Sequence, residues 1–203
     1  MLLLTVAAVL VYCGLLQRVL DRMYLRDRTA LLLIGLMLGG TFLPPLSLGP
    51  VALNIGGGLV PLGVCAYLFI RADESHERWR TLLGSLLTGA AVLLMTRLLP
   101  SEPEQLLVDP TLLCCLAGGV IAWALGRSRR GAFICGVAGI VLADTVTAAV
   151  NWSRGVSQQL VIGGAGIADA AVIAGVLGVL LCETIGEAVE RIVRRRMRGG
   201  ARQ

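Results

Sequence analysis

Two aspartates, Asp144 and Asp169, are the residues whose type and position most clearly indicate chemistry. Each lies well inside a long apolar stretch, whereas the other carboxylates lie near the ends of such stretches or between them. A charged side chain at the centre of a bilayer costs about 3 kcal/mol on insertion scales, so intramembrane acids usually face the bundle interior and mark a pathway or a reacting site. The sequence therefore predicts a two-aspartate site.

The two carboxyl groups are expected at a similar depth in the membrane. Asp144 lies about seven residues before the predicted helix end near Asn151, and Asp169 lies about nine residues after the predicted helix start near Leu160. At 1.5 Å per residue these separations correspond to depths of roughly 10 and 13 Å. Because a short loop joins the two antiparallel helices, the carboxyl groups can meet at one level.

Two neighbouring carboxyl groups in a site of low dielectric cannot both ionise easily, so they would share one proton. An aspartic protease uses this arrangement to activate water, with the two acids alternating as general base and general acid. A proton- or cation-coupled carrier of small solutes uses it to bind its ion. In a third interpretation, each aspartate is protonated and serves assembly alone, in a membrane scaffold without enzymatic activity. The sequence leaves all three open, and we expect intramembrane peptide hydrolysis first.

Polar and glycine residues near the aspartates complete the predicted site. Thr147 and Asn151 lie three and seven residues beyond Asp144 and share its helical face. The glycines before Asp169 allow a neighbouring backbone to come close, or break the helix there. Together with residues of the third apolar stretch, the expected binding residues are Asn54, Gly56, Gly57, Thr147, Asn151, Gly163, Gly164 and Gly166.

The third apolar stretch departs from a plain spanning helix. Gly56, Gly57 and Gly58 lower its helical preference and Pro61 lacks a backbone donor, so we expect this span to be kinked or unwound. A break at membrane depth is tolerated only where it is packed in protein or faces a wet cavity. The alternative is that the glycines only allow another helix to approach closely.

Seven apolar stretches provide the elements that must position these residues. Each is near the ~20 residues that a helix needs to cross ~30 Å of hydrocarbon. The composition agrees, because 56% of the residues are hydrophobic and the mean hydropathy is +0.81. The sequence predicts an all-α polytopic membrane bundle of about seven helices, in one domain over residues 1–190, with a basic cytoplasmic tail over 191–203. The stretches are roughly 1–17, 30–48, 51–70, 81–99, 111–126, 132–150 and 160–182.

The distribution of arginine predicts the orientation of this bundle. The 18 basic residues are all Arg, and the successive gaps contain 4, 0, 3, 1, 3, 1 and 6 of them when the C-terminal tail is included and Arg97, near the end of the fourth stretch, is counted with the gap that follows it. Basic residues near helix ends are retained on the cytoplasmic side. The odd gaps, with 16 arginines, should therefore be inside and the even gaps, with 2, outside. We expect a multi-pass protein of the cell membrane with its N-terminus outside and its C-terminus in the cytoplasm.

Residue types that bind metals are few and scattered. The six cysteines lie in apolar stretches without the spacing of a metal site, and the single histidine, His76, lies in a charged loop. We therefore expect no metal and no cofactor. A basic tail beside a membrane exit predicts contact with lipid headgroups rather than nucleic acid. The expected partners are the lipid bilayer and, for a protease, a membrane-spanning peptide substrate.

Residue blocks around both aspartates resemble an uncharacterised family of bacterial and archaeal membrane proteins, the domain of unknown function 1614. The resemblance covers roughly residues 30–183. That family usually has a bulky aromatic residue before the last aspartate and a glycine after it, where this chain has Ala168 and Ala170. The family has no established activity, so the resemblance implies a fold and a site location only. It rests on Asn54, Gly56, Gly57, Pro61, Gly136, Gly139, Ala143, Asp144, Gly163, Gly164, Ala165, Gly166 and Asp169.

A second resemblance is to the presenilin and signal-peptide-peptidase class of intramembrane aspartyl proteases. Those enzymes also place one aspartate in each of two adjacent helices, the second within a Gly-x-Gly-Asp motif. In this chain two residues, Ile167 and Ala168, separate the last glycine from Asp169. The expected direction of the two helices is similar to that in signal peptide peptidase. The resemblance implies a catalytic pair made of Asp144 and Asp169.

Overall fold

The computed structural model describes residues 27–72, 75–98, 110–126 and 128–200, together with Gly14 and Gln17. Apart from these two positions, the expected first span over 1–17 lies outside the described residues. The structure is mostly helical, as the sequence predicts. The six helices of the described ranges are α1 Asp27–Thr41, α2 Val60–Ile70, α3 Ser75–Leu98, α4 Pro110–Gly126, α5 Arg129–Ser153 and α6 Ala170–Gly200.

Helix lengths separate two of these elements from the rest. In the described part of the chain, α3 and α5 are long and apolar enough to cross a membrane. The apolar helical segments elsewhere, Leu31–Thr41, Ile55–Ile70, Cys114–Gly126 and Ala170–Gly186, are shorter. Helix length alone therefore supports two crossings, and the seven-span arrangement stays a prediction. The basic tail expected from residue 191 continues α6 as helix to Gly200.

Three short strands replace helix where the sequence analysis placed spanning segments. Strands β1, Leu46–Leu48, and β2, Val51–Leu53, form an antiparallel hairpin around Gly49, whose φ is 64°. Strand β3, Leu160–Ile162, pairs in parallel with β2. The expectation of helix over 46–48 and 160–162 was therefore wrong. Prolines at 44, 45 and 50 and the glycines after β3 prevent helix, and pairing then satisfies the backbone groups.

The third apolar stretch is broken, as the sequence predicts. After β2, residues Ile55–Leu59 form one π-helical turn, and regular helix starts only at Val60. A second break has a similar plan, because β3 leads through glycines into a 3-10 turn, Gly166–Ala168, before α6 starts at Ala170. The helix is therefore broken at the glycines before Asp169, as one of the two alternatives predicts.

Helices α3 to α6 pack through small residues. A Cβ added at Gly136 of α5 would lie 2.7 Å from the Cα of Gly175 in α6, and one added at Gly139 would lie 2.7 Å from Cβ of Thr88 in α3. Real Cβ atoms do not approach so closely, so glycine is required at both contacts. Larger apolar side chains such as Val137 and Val172 fill the core between them.

Arginine side chains at the start of α3 connect it to the ends of two other helices, at one end of the structure that is here called the arginine end. Arg78 donates hydrogen bonds to the carbonyl oxygens of Ile70 and Ala72 at the end of α2. Arg80 donates to the carbonyl oxygen of Gly126 at the end of α4, at 2.9 Å. Cations stabilise unpaired carbonyl groups at helix C-termini. The strands lie at the opposite end, called the sheet end, where Leu160 N donates to Pro50 O.

Candidate functional site

The two broken segments meet at the sheet end. A Cβ added at Gly57 would lie 2.5 Å from the carbonyl oxygen of Gly163, and one added at Gly163 would overlap the backbone of Gly57 and Gly58. Gly163 and Gly166 also have positive φ angles of 74° and 62°, which favour glycine. These glycines therefore serve both interpretations of the sequence: the backbone is broken, and the two breaks approach closely.

Asn54 joins the two breaks by hydrogen bonds in both directions. Its Oδ1 accepts from the backbone N–H groups of Gly56 and Gly57 at 2.9 and 3.1 Å. Its own backbone N–H donates to the carbonyl oxygen of Ile162 at the end of β3. The side chain is buried. Asn54 thus caps the π-helical turn, and its amide oxygen is already engaged with the protein.

Asp169 is the N-cap residue of α6. Its Oδ1 accepts from the backbone N–H of Ala171 at 3.1 Å, and its Oδ2 accepts from that of Ala165 at 3.4 Å. The backbone is extended there, with φ −66° and ψ 147°, as is typical of a cap. Asp169 is therefore part of the local structure of the second break as well as a candidate for chemistry.

Asp144 lies on α5 with an exposed side chain. Its carboxylate is close enough to that of Asp169 for the two charges to interact, and close enough to Cys114 of α4 to affect that thiol. No residue among the described ones donates a hydrogen bond to it. Nine residues separate it from the last residue of α5, Ser153, which corresponds to about 13 Å of helix. The carboxylate of Asp144 thus holds no part of the local structure in place, whereas the nearby carboxylate of Asp169 caps a helix.

The other expected residues occupy varied positions. Thr147 donates to the carbonyl oxygen of Ala143 in its own helix, at 2.8 Å. Asn151 donates from Nδ2 to Oε1 of Gln158, at 2.7 Å. Within the described ranges, neither side chain bonds to Asp144, although both were expected on its helical face. Gly164 lies in the turn beside Val161, where an added Cβ would meet only that side chain.

Thr41, at the end of α1, is a neighbour that the sequence analysis missed. A Cβ added at Gly166 would overlap its side chain, and one added at Gly56 would lie 2.7 Å from its Oγ1. The hydroxyl donates to the carbonyl oxygen of Met37 at 2.7 Å. No local pattern marks Thr41, because only tertiary packing brings α1 to both breaks. Cys114 was missed for the same reason.

Comparison with known proteins identifies a family match. The model of DUF1614, described as a protein of unknown function, matches residues 27–181 of the chain. No curated protein and no solved structure matches. The resemblance to the presenilin and signal-peptide-peptidase class is thus not shown by any of these comparisons.

Proposed function

The chain belongs to DUF1614, a family of unknown function, and we propose that it is an intramembrane aspartyl peptidase with Asp144 and Asp169 as its catalytic pair. One observation carries the proposal. Asp169 caps α6 where the second break ends, and Asp144 of the preceding helix lies close enough for the two charges to interact, while it accepts no hydrogen bond from the described residues. A pair of interacting acids of this kind can activate a water molecule.

The proposed reaction needs one ionised and one protonated carboxyl group. The ionised group takes a proton from water, whose oxygen attacks the peptide carbonyl carbon, while the other group gives its proton to the carbonyl oxygen. When the tetrahedral intermediate collapses, the C–N bond breaks. The leaving nitrogen takes the proton that came from water, and the original carbonyl oxygen returns its proton to the carboxylate that had donated it, which restores the pair. Asp144 and Asp169 alternate as base and acid over the cycle.

The proposed setting is a multi-pass membrane protein with its N-terminus outside and its C-terminus in the cytoplasm. Two features support this placement. Helices α3 and α5 are long and apolar enough to cross a bilayer. The arginine-containing loops before α3 and before α5 meet at one end, where Ser128 Oγ donates to Glu77 Oε1 at 2.7 Å. Because basic loops stay in the cytoplasm, this end faces inwards and the catalytic pair lies towards the outer half.

A solute or cation carrier that uses the same aspartates is the second candidate. The contact between the two broken segments favours it, because many carriers build their binding sites from paired discontinuous helices. In that case Asp144 would bind the coupling ion or proton, and Asp169 would hold the second break in place. The peptidase needs both carboxyl groups for its reaction, whereas the carrier needs the carboxyl group of Asp144 for binding and that of Asp169 for structure.

The deciding experiment compares Asp144→Asn, Asp169→Asn and a matched control, Thr145→Val, in reconstituted vesicles. Thr145 is exposed beside Asp144 and donates to Val141 O of its own helix, so its replacement leaves both carboxyl groups intact. We expect each Asn variant to lose cleavage of single-span peptides by more than about 100-fold, and the control to cleave like the wild type.

The Asn variants are informative because asparagine is as good an N-cap as aspartate. Asp169→Asn removes the acid and keeps the bond from Ala171 N, and it loses only the longer bond from Ala165 N. Cleavage that survives in either Asn variant overturns the two-acid mechanism. Parallel assays of proton and cation flux test the carrier. Flux that depends on Asp144, in the absence of any cleavage, would establish the second candidate instead.

A further inference from the structure

Strand β3, which leads into the break that ends at Asp169, has an edge that no strand among the described residues covers. Leu160 N donates to Pro50 O and Ile162 O accepts from Asn54 N, so residues 160 and 162 face β2. In a parallel pair, alternate residues bond to the same neighbour, and the N–H and C=O groups of Val161 therefore point the other way. The sheet order is β1-β2-β3, so no further strand among the described residues covers this edge. The Val161 side chain is 46% exposed.

An open groove adjoins the start of the same strand. Its volume is about 490 Å³, and the residues just before β3 form one wall while Pro50 and Trp152 form another. The Trp152 indole N–H donates to the carbonyl oxygen of Gln158, at 2.7 Å, which fixes the ring in the wall. The lining combines an aromatic ring, a proline and amide groups such as Gln159, with no charged side chain.

We propose that an extended substrate segment binds in this groove and pairs as an additional strand with the edge of β3 at Val161. The proposal rests on the peptidase function and specifies its substrate as an unfolded, uncharged stretch of polypeptide. Both features of the site suit such a ligand. A strand edge offers one donor and one acceptor to any extended backbone, and aromatic and amide groups contact neutral peptide without selecting a charge.

The place of β3 in the chain connects substrate binding at its edge with the proposed reaction at Asp169. The strand leads directly into the second break, which ends at Asp169. A substrate segment paired with β3 would therefore run alongside the strand that leads to Asp169. Helical substrate residues expose no free backbone donors, so pairing also selects for the extended conformation that peptide hydrolysis requires. Most contacts to the substrate are then hydrogen bonds to its backbone, and only every second substrate side chain points towards the same face of the sheet.

The test compares Val161→Pro with Ser47→Pro. Proline removes the N–H group at each position, and both residues lie at the middle of an outer strand of the same sheet, where the N–H group faces away from β2. The substrate probe is a synthetic single-span peptide with a neutral flanking segment that carries a photoreactive group. We expect Val161→Pro to lower cleavage and crosslinking at least about tenfold, and Ser47→Pro to leave both within about twofold of the wild type.

A second arm changes the peptide instead of the protein, so that a misfolded variant does not decide the outcome. Single N-methyl groups are placed in turn along the flanking segment, and we expect binding to Asp144→Asn protein to fall at alternate positions only. Equal binding by the Val161 and Ser47 variants, with no alternation among methylated peptides, overturns the strand pairing. Crosslinking at β3 by a peptide that the wild type never cleaves supports the pairing and overturns the peptidase.

Discussion

At the scale of single residues, Asp169 combines two duties that the sequence could not separate. Its Oδ1 caps α6 by accepting from Ala171 N, and its Oδ2 accepts from Ala165 N in the second break. Asp144, which is close enough for the two charges to interact, has no such duty. A capping carboxylate has a fixed position, because the backbone N–H groups that it accepts from are themselves part of the fold. We therefore expect the Asp169 side chain to keep one position and the Asp144 side chain to be the one that moves.

The capping duty can be measured through stability. We expect Asp169→Ala to lower the free energy of unfolding by about 1 kcal/mol, because two backbone N–H groups lose their acceptor, and Asp169→Asn to lower it by only a few tenths. The control is Asp144→Ala, which removes no hydrogen bond from the described residues and should not destabilise the protein. Denaturant titration in detergent measures all three. If Asp169→Asn and Asp169→Ala lowered the free energy of unfolding equally, the charge of Asp169 and not its capping bonds would be what stabilises the protein.

At the scale of elements, the two breaks are built alike. Each runs from a strand through glycines and a polar cap into a helix, with Asn54 as the cap in the first and Asp169 in the second. Neither break is stable alone in an apolar surrounding, since each exposes backbone groups. Their parallel strand pairing and their glycine contact satisfy these groups in one step. The position of Asp169 at the end of the second break therefore depends on residues of the first break that lie far from it in sequence.

This dependence predicts a sharp difference between two glycines of the same region. We expect Gly57→Ala to destabilise the protein by about 1–3 kcal/mol and to reduce activity, because the added Cβ would lie 2.5 Å from Gly163 O. The control is Gly63→Ala in α2, where an added Cβ meets nothing within 4 Å. Alanine there should be neutral or stabilising by up to about 1 kcal/mol. Thermal unfolding and peptide cleavage are the measurements, and a Gly57 variant as stable as the Gly63 variant would contradict the contact.

At the scale of the whole molecule, arginine contributes to topology and to folding at once. Arg78, Arg80 and Arg130 each donate to a carbonyl oxygen at or just after the end of another helix. The loops before α3 and before α5, which the positive-inside rule assigns to the same side, are thereby joined at one end of the structure. Two of the three loops that the rule assigns to the other side meet at the sheet end, where Leu160 N donates to Pro50 O. The alternation and the orientation stay predictions from the arginine counts.

The orientation itself is a separate prediction. Reporter fusions after Arg202 should give a cytoplasmic signal, and fusions near Glu104 an external one, because of the division of arginines between odd and even gaps. Glu104 lies outside the described residues, so the fusions also test a part of the chain for which the structure gives no position. The control is a fusion at His76, which should be cytoplasmic. A cytoplasmic signal at Glu104 would contradict the orientation.

The sequence by itself determined the helical class of the protein and the break in the third apolar stretch, and it indicated the residues from which the proposed site is built. These features depend on local properties, since hydropathy, arginine counts and glycine or proline content act through the residues that carry them. Asn54, Asp144 and Asp169 stood out because a polar group in an apolar stretch needs a partner, whatever the fold.

Only the tertiary structure decided what those partners are. Strand β2 and strand β3 are more than a hundred residues apart, and a three-residue strand has no period long enough to be distinguished from the helix around it. For the same reason, the sequence could not predict the contact of Gly57 with Gly163 or the position of Thr41 beside both breaks. Pairing between distant segments is set by the geometry of the whole chain, which explains why the caps, the sheet and its open edge could not be predicted from sequence.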